Sequence, residues 1–168
     1  MDSELLGDLA KPGHSGVLSL AGSRYLLLEL EPSGIGADPA EVVETPAAAG
    51  WQAVIAHPEL TPSLVRDAEL IERLAAAGAL FQIFASSVTV EFGRPVRTRV
   101  LELVEQGFAD FLASDGHRPD WRPTGIARAR AEIEQRFGAE LARALTVENP
   151  AAVLADRPLP TTDAEAGA

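Results

Sequence analysis

The sequence predicts an α/β fold of parallel strand–helix units, and three observations carry that reading. Four short apolar runs recur along the chain, at residues 25–30, 53–57, 80–84 and 110–114. Segments with helical apolar spacing lie between and after them. Gly and Pro punctuate the junctions, as at Pro58, Gly78 and Gly107.

Taken in order, the run from Tyr25 to Leu30 is a buried strand, followed by a Pro/Gly-rich loop (Pro32-Ser-Gly-Ile-Gly36). A helix is predicted from about Asp38, with Pro39 suited to a first helical position. The run from Ala53 to His57 is the second strand, cut off by Pro58. Residues 63–77 have helical spacing through Leu64, Leu70, Ile71 and Leu74, with Gly78 as the C-cap. Leu80 to Phe84 is the third strand, and Pro95 to Gln106 the third helix, stopped by Gly107. Asp110 to Ser114 is the fourth strand. A polar loop leads to a helix over residues 123–137 and a last helical stretch over 140–154. Residues 156–168 are rich in Pro, Thr and acid and are expected to be a disordered tail.

Composition bounds the function. The chain has 168 residues, 46% hydrophobic and 23% charged, which is one globular domain. No apolar run approaches the ~20 residues of a membrane span, and the polar start (Asp2, Ser3, Glu4) has no basic leader, so a cytoplasmic protein without membrane insertion is expected. With no Cys there is no disulfide framework, no Cys-ligated zinc and no thiolate nucleophile. Acids outnumber bases 25 to 14, a net charge of −11, and Lys11 is the one lysine. Nucleic acid is therefore not an expected partner. An anionic substrate would need metal ions or a local Arg cluster.

The chemistry-bearing residues fall where such folds build sites, at the C-terminal ends of the strands. Glu29 ends the first strand, His57 the second, and Asp115 and His117 follow the fourth. Two imidazoles and two carboxylates suit Mn²⁺, Zn²⁺ or Fe²⁺. Each has a plainer explanation: a strand-end His is often structural, and Ser114-Asp-Gly-His117 also reads as a turn. Glu29 is harder to explain away, because a carboxylate inside an apolar run is costly to bury. Arg118 and Arg122 flank the Asp-Gly-His turn and either clamp an oxyanion or remain solvated loop charges. Glu59 reads as an N-cap, Gln82 points into the site or into a packed layer, and His14 sits in a Gly/Pro-flanked loop. A phosphate-cradling Gly loop, a GxSxG elbow and an HExxH motif are all missing.

Four segments occur together in order: Gly22-Ser-Arg-Tyr-Leu-Leu-Leu-Glu29, Ile55-Ala-His-Pro-Glu59, Gly78-Ala-Leu-Phe-Gln-Ile83 and Phe111-Leu-Ala-Ser-Asp-Gly-His117, with Glu148-Asn-Pro150 later. They resemble the PHP-superfamily protein-tyrosine phosphatases of bacterial capsule and exopolysaccharide gene clusters. The resemblance implies a distorted (β/α)₇ barrel around two or three metal ions, usually manganese. It implies Glu29 as a metal-bridging carboxylate, His57, Asp115 and His117 as further ligands, and Arg122 as a phosphate-binding catalytic residue. It also implies hydrolysis of phosphotyrosine by metal-bound hydroxide, typically on the tail of a cognate tyrosine autokinase that controls polysaccharide export.

The chain departs from that family in two ways. The His-x-His strand that opens the barrel is missing, and Leu60 follows His-Pro-Glu where the family commonly has Arg. The expectation is thus a C-terminal part of the barrel over residues 1–155, with about four parallel strands and open edges that favour self-association. Two alternatives accompany it: a truncated, catalytically inactive remnant or binding module, and a PHP phosphoesterase acting on a small phosphate ester.

Overall fold

The computed structural model describes residues 19–30, 39–116 and 125–160. One sheet contains β1 (Tyr25–Leu28), β2 (Gln52–Ala56), β3 (Leu80–Phe84) and β4 (Phe111–Ala113), hydrogen-bonded in that order. Every neighbouring pair is parallel, with Leu28 opposite Ile55, Ile55 opposite Phe81 and Ile83 opposite Leu112. Parallel pairing obliges the chain to return along the sheet between strands, and helices make those returns. They are α1 (Pro39–Ala48), then α2 (Pro62–Arg66) with α3 (Ala68–Ala76), then α4 (Ala85–Val88) with α5 (Arg94–Glu105). After β4 come α6 (Ala127–Phe137), α7 (Ala139–Arg143), a π-helical turn (Ala144–Glu148) and α8 (Asn149–Leu154).

The four expected strands are all present, and the differences lie in the helices. The single helix expected over residues 63–77 is two. Asp67 leaves the helical region at φ −125° and its carboxylate accepts the Leu70 N–H at 3.1 Å, capping α3 and so ending α2. The stretch expected over residues 140–154 passes through the π turn, beside which Thr146 Oγ1 donates to Ala142 O at 2.6 Å. α5 begins with Pro95 in its first turn, and the chain breaks from it at Gly107, whose φ of +82° suits glycine. Of the helix expected over 123–137, Ala127–Phe137 is helical, and its first residues reach into the segment outside the described residues.

The two faces of the sheet differ. Leu26, Leu28, Ala53, Ile55, Phe81, Ile83 and Leu112 pack against Val42, Ile71, Leu74, Leu103 and Ile133 from the helices. Each fully buried Leu or Ile here contributes roughly 1.5–3 kcal/mol by its removal from water. On the opposite face, Tyr25, Val54 and Phe111 are buried by Val153 of α8, with Leu20, Leu80 and Leu159 around them. Closer to the strands' C-terminal ends this second face opens: Leu27 is 41% exposed, and Gln82 and Ala113 are half-buried.

Asp110 fastens the N-terminal end of β4. Its N–H donates to Phe81 O at 2.8 Å, and its Oδ2 accepts the Phe81 N–H at 2.7 Å. The buried Asn149 side chain donates to Asp110 O at 2.8 Å, so α8 is registered on the same residue. Burial raises the Asp110 carboxyl to about 6, against the partial relief that the Phe81 amide gives.

The tail differs from expectation over its first five residues. Asp156 Oδ1 accepts from Arg24 N and Nε at 2.8 and 3.0 Å, Tyr25 Oη donates to Arg157 O at 2.6 Å, and Leu159 packs beside Tyr25. Hydrogen bonds with Arg24 and Tyr25 hold Asp156 and Arg157, which composition alone does not register; residues 161–168 lie outside the described ones. The outer side of β1 also carries an antiparallel bridge, Ser19 to Leu26. Among the described residues, no helix is long and apolar enough to cross a membrane.

Candidate metal centre

The site begins with how β1 and β2 end. Leu26, Leu28 and Leu30 point into the helix-covered core, so Glu29 shares the opposite side with Leu27. Glu29 follows the strand, and its side chain is 75% exposed. That corrects the expectation of a carboxylate buried in an apolar run: no burial cost falls on Glu29, because pairing stops one residue earlier.

His57 directly follows β2, where alternation from Ile55 would turn it towards the helices. It instead adopts a left-handed conformation, φ 34° and ψ 58°, and the Pro58–Leu60 turn follows. Its ring meets Glu29, with Nε2 3.6 Å from Oε1. That is beyond a hydrogen bond, yet matches two ligands sharing one ion at about 2.0–2.2 Å each. Nδ1 is buried with no hydrogen-bond partner among the described residues. With Nδ1 unpartnered among the described residues and Nε2 facing a carboxylate, the pair fits a divalent cation chemically.

Asp115 stands on the same rim at φ 45°, half-buried, two residues past β4. β3 lies between it and His57, and adjacent strands are ~4.8 Å apart. Among the described residues, no group of three His, Asp or Glu side chains converges. The structure thus brings together Glu29 and His57 and places Asp115 along the same edge. His117, Arg122, Arg118 and His14 lie outside the described residues. Gln82 is half-buried on the open face of β3.

Glu59 is the residue whose role the sequence reading mistook. It caps no helix: α2 is preceded by Thr61 and α3 is capped by Asp67. Glu59 is 1% exposed, and its Oε1 accepts the Phe84 N–H at 2.9 Å. Oε2 is buried without a hydrogen-bond partner among the described residues, the Ser87 hydroxyl lying near but outside bonding geometry. Burial pushes this carboxyl up, and the Phe84 amide holds it part of the way back. The turn that re-aims His57 is thereby fastened to the end of β3. Its signal in the sequence is a carboxylate directly after a Pro that ends an apolar strand.

The family of capsular polysaccharide synthesis proteins CpsB/CapC matches residues 7–155. The chain belongs to the CpsB/CapC family. It is similar to the tyrosine-protein phosphatase YwqE of Bacillus subtilis, 32% identical over 143 residues, covering 85% of this chain and 55% of that protein. It is similar also to the tyrosine-protein phosphatase CpsB of Streptococcus agalactiae, 27% identical over 141 residues, covering 81% of this chain and 58% of the relative. Among solved structures, it matches a chain from the pair YwqE of B. subtilis and CpsB of Streptococcus pneumoniae, described as unique metal-dependent tyrosine phosphatases. The TM-score is 0.87 at 29% identity, over 96% of this chain and 64% of that one. The family and α/β fold expected from the sequence are both borne out. This CpsB/CapC chain spans a little over half the length of these relatives.

Proposed function

We propose that this CpsB/CapC chain contributes to metal-dependent hydrolysis of phosphotyrosine on a protein, in the cytoplasm, with a cognate tyrosine kinase of capsule or exopolysaccharide synthesis as substrate and manganese as the metal. What supports the reading most is the Glu29–His57 pair, 3.6 Å apart on the strand-end rim of a fold shared with metal-dependent tyrosine phosphatases.

In this reading Glu29, His57, Asp115 and His117 are the ligands the chain offers, and Arg122 forks onto the phosphate. Bound there, divalent ions supply charge neutralisation for the phosphoryl oxygens and a lowered pKa for the attacking water. Glu29 offers its carboxyl oxygens in reach of solvent, while the enclosed His57 offers a ring nitrogen from drier surroundings. The Glu59 bond to Phe84 keeps the His57 turn from relaxing towards the helix side. With no Cys, the chain offers no thiolate to take the phosphoryl group.

The test is release of phosphate from a phosphotyrosyl peptide by the manganese-loaded chain, beside His57→Ala and an EDTA-treated control. Turnover that needs manganese and His57 is the expected result. A second reading, a binding module without turnover, draws on the absence of a three-donor group among the described residues. Metal retention with no hydrolysis would favour it, and faster hydrolysis of histidinol phosphate than of the peptide would replace the protein substrate with a small ester.

A further inference from the structure

The connection after β3 contains a backbone outlier. Val90 has φ +72°, a left-handed conformation that β-branched side chains avoid. The turn is held around it: Glu91 N–H donates to Ser86 O at 3.1 Å, Gly93 N–H to Val90 O at 2.8 Å, and Thr89 Oγ1 lies 3.2 Å from Glu91 Oε1. Its effect is to lay Phe92 against Phe84, with ring centroids 5.3 Å apart at 51°. Phe84 is 1% exposed and is the last residue of β3, whereas Phe92 is 41% and Val90 42% exposed.

The position of this aromatic pair gives it meaning. β3 runs between the strands that end near His57 and Asp115, and Phe84 N–H is the group that Glu59 holds. An accessible ring is thus seated on a buried ring at the end of β3, the strand between those that end near His57 and Asp115. Metal ions and Arg bind a phosphate whatever alcohol it is esterified to, so discrimination must come from contacts to the other side of the ester. Strain retained in a loop is commonly tied to function, and here it sets the height and tilt of an apolar face.

We propose that Phe92, seated on Phe84 by the Val90 turn, is the specificity-determining residue that receives the aryl group of an aryl phosphate ester. The proposal rests on the metal-dependent phosphatase reading and adds to it the surface that selects aryl over alkyl esters. Ring–ring contact is worth roughly 2- to 10-fold in affinity beyond area burial.

The experiment measures binding of phenyl phosphate and methyl phosphate by calorimetry to the manganese-loaded chain, wild type, Phe92→Ala and Phe92→Leu, with circular dichroism to establish folding. Wild type is expected to prefer phenyl phosphate by about tenfold. F92A and F92L are expected to lose most of that preference while their affinity for methyl phosphate stays within about twofold of wild type. F92L retains apolar bulk, so it reports on the ring even if F92A does not fold. An unchanged phenyl-to-methyl ratio in folded F92L would overturn the assignment. Equal wild-type affinity for the two esters would overturn it while leaving the phosphatase reading in place. Binding of neither ester would overturn both.

Discussion

Glu59 Oε1 accepts the backbone N–H of Phe84 at 2.9 Å, joining the turn after β2 to the last residue of β3. The bond is fully buried and runs through a carboxyl that burial has already made reluctant to ionise. Because that pKa is raised on folding, its contribution to stability is complete at low pH and declines as pH rises through the folded value. Glu59→Gln keeps an acceptor for Phe84 and removes the charge, so its stability should decline less than that of wild type between pH 5 and 9. Glu59→Ala leaves the amide unpaired and should cost about 1–3 kcal/mol at pH 5. Urea unfolding of the three proteins across pH checks both statements.

Asp110 should give a second pH dependence with the same sign. Its carboxyl titrates at about 6 when folded against 3.8 as an ordinary Asp, so the folded state holds the proton more tightly between those values. Stability should fall as pH rises from about 4 to 6, by up to roughly 3 kcal/mol at 1.36 kcal/mol per pKa unit. Asp110→Asn retains an oxygen for the Phe81 N–H and should abolish most of that fall, as thermal melts at pH 4.5 and 7.5 would reveal.

Metal retention should depend on the facing pair. After manganese loading and desalting, elemental analysis should find roughly stoichiometric metal in the wild type and at least tenfold weaker binding in Glu29→Gln and in His57→Ala. Retention unchanged in both variants would remove this pair from the site.

Val90→Gly should raise stability by about 1 kcal/mol, since the strain relieved at φ +72° exceeds the extra chain entropy of Gly. Chemical denaturation decides it, and a loss of 1 kcal/mol or more would mean that the Val90 side chain does more than tolerate its conformation.

The strands were legible in the sequence because each is a short apolar run closed by Gly or Pro, a signal that survives without tertiary context. The placement of Glu29 and His57 on one rim was legible for the same reason, since strand ends fix where side chains gather. The split at Asp67 was not, because the periodicity of Leu64, Leu70, Ile71 and Leu74 continues across it while the side chain rewires one amide. The exposure of Glu29 was missed because one residue decides whether it lies inside the strand or past it. Glu59 was misread because its partner, Phe84, is 25 residues away and an amide leaves no trace in composition. The contacts of Asp156 with Arg24 and of Arg157 with Tyr25 span 132 residues and are equally invisible to local patterns.

Those same contacts bear on the order in which the fold is completed. Bonds between partners 132 residues apart close late, because the loop between them must first be collapsed. During synthesis β1 emerges before the other three strands, yet the groups that hold Arg24 and Tyr25 leave the ribosome only after every strand and helix of the described fold. At a rate of about 5–20 residues per second, Arg24 and Tyr25 wait seconds for these partners after β2 has become available to pair with β1.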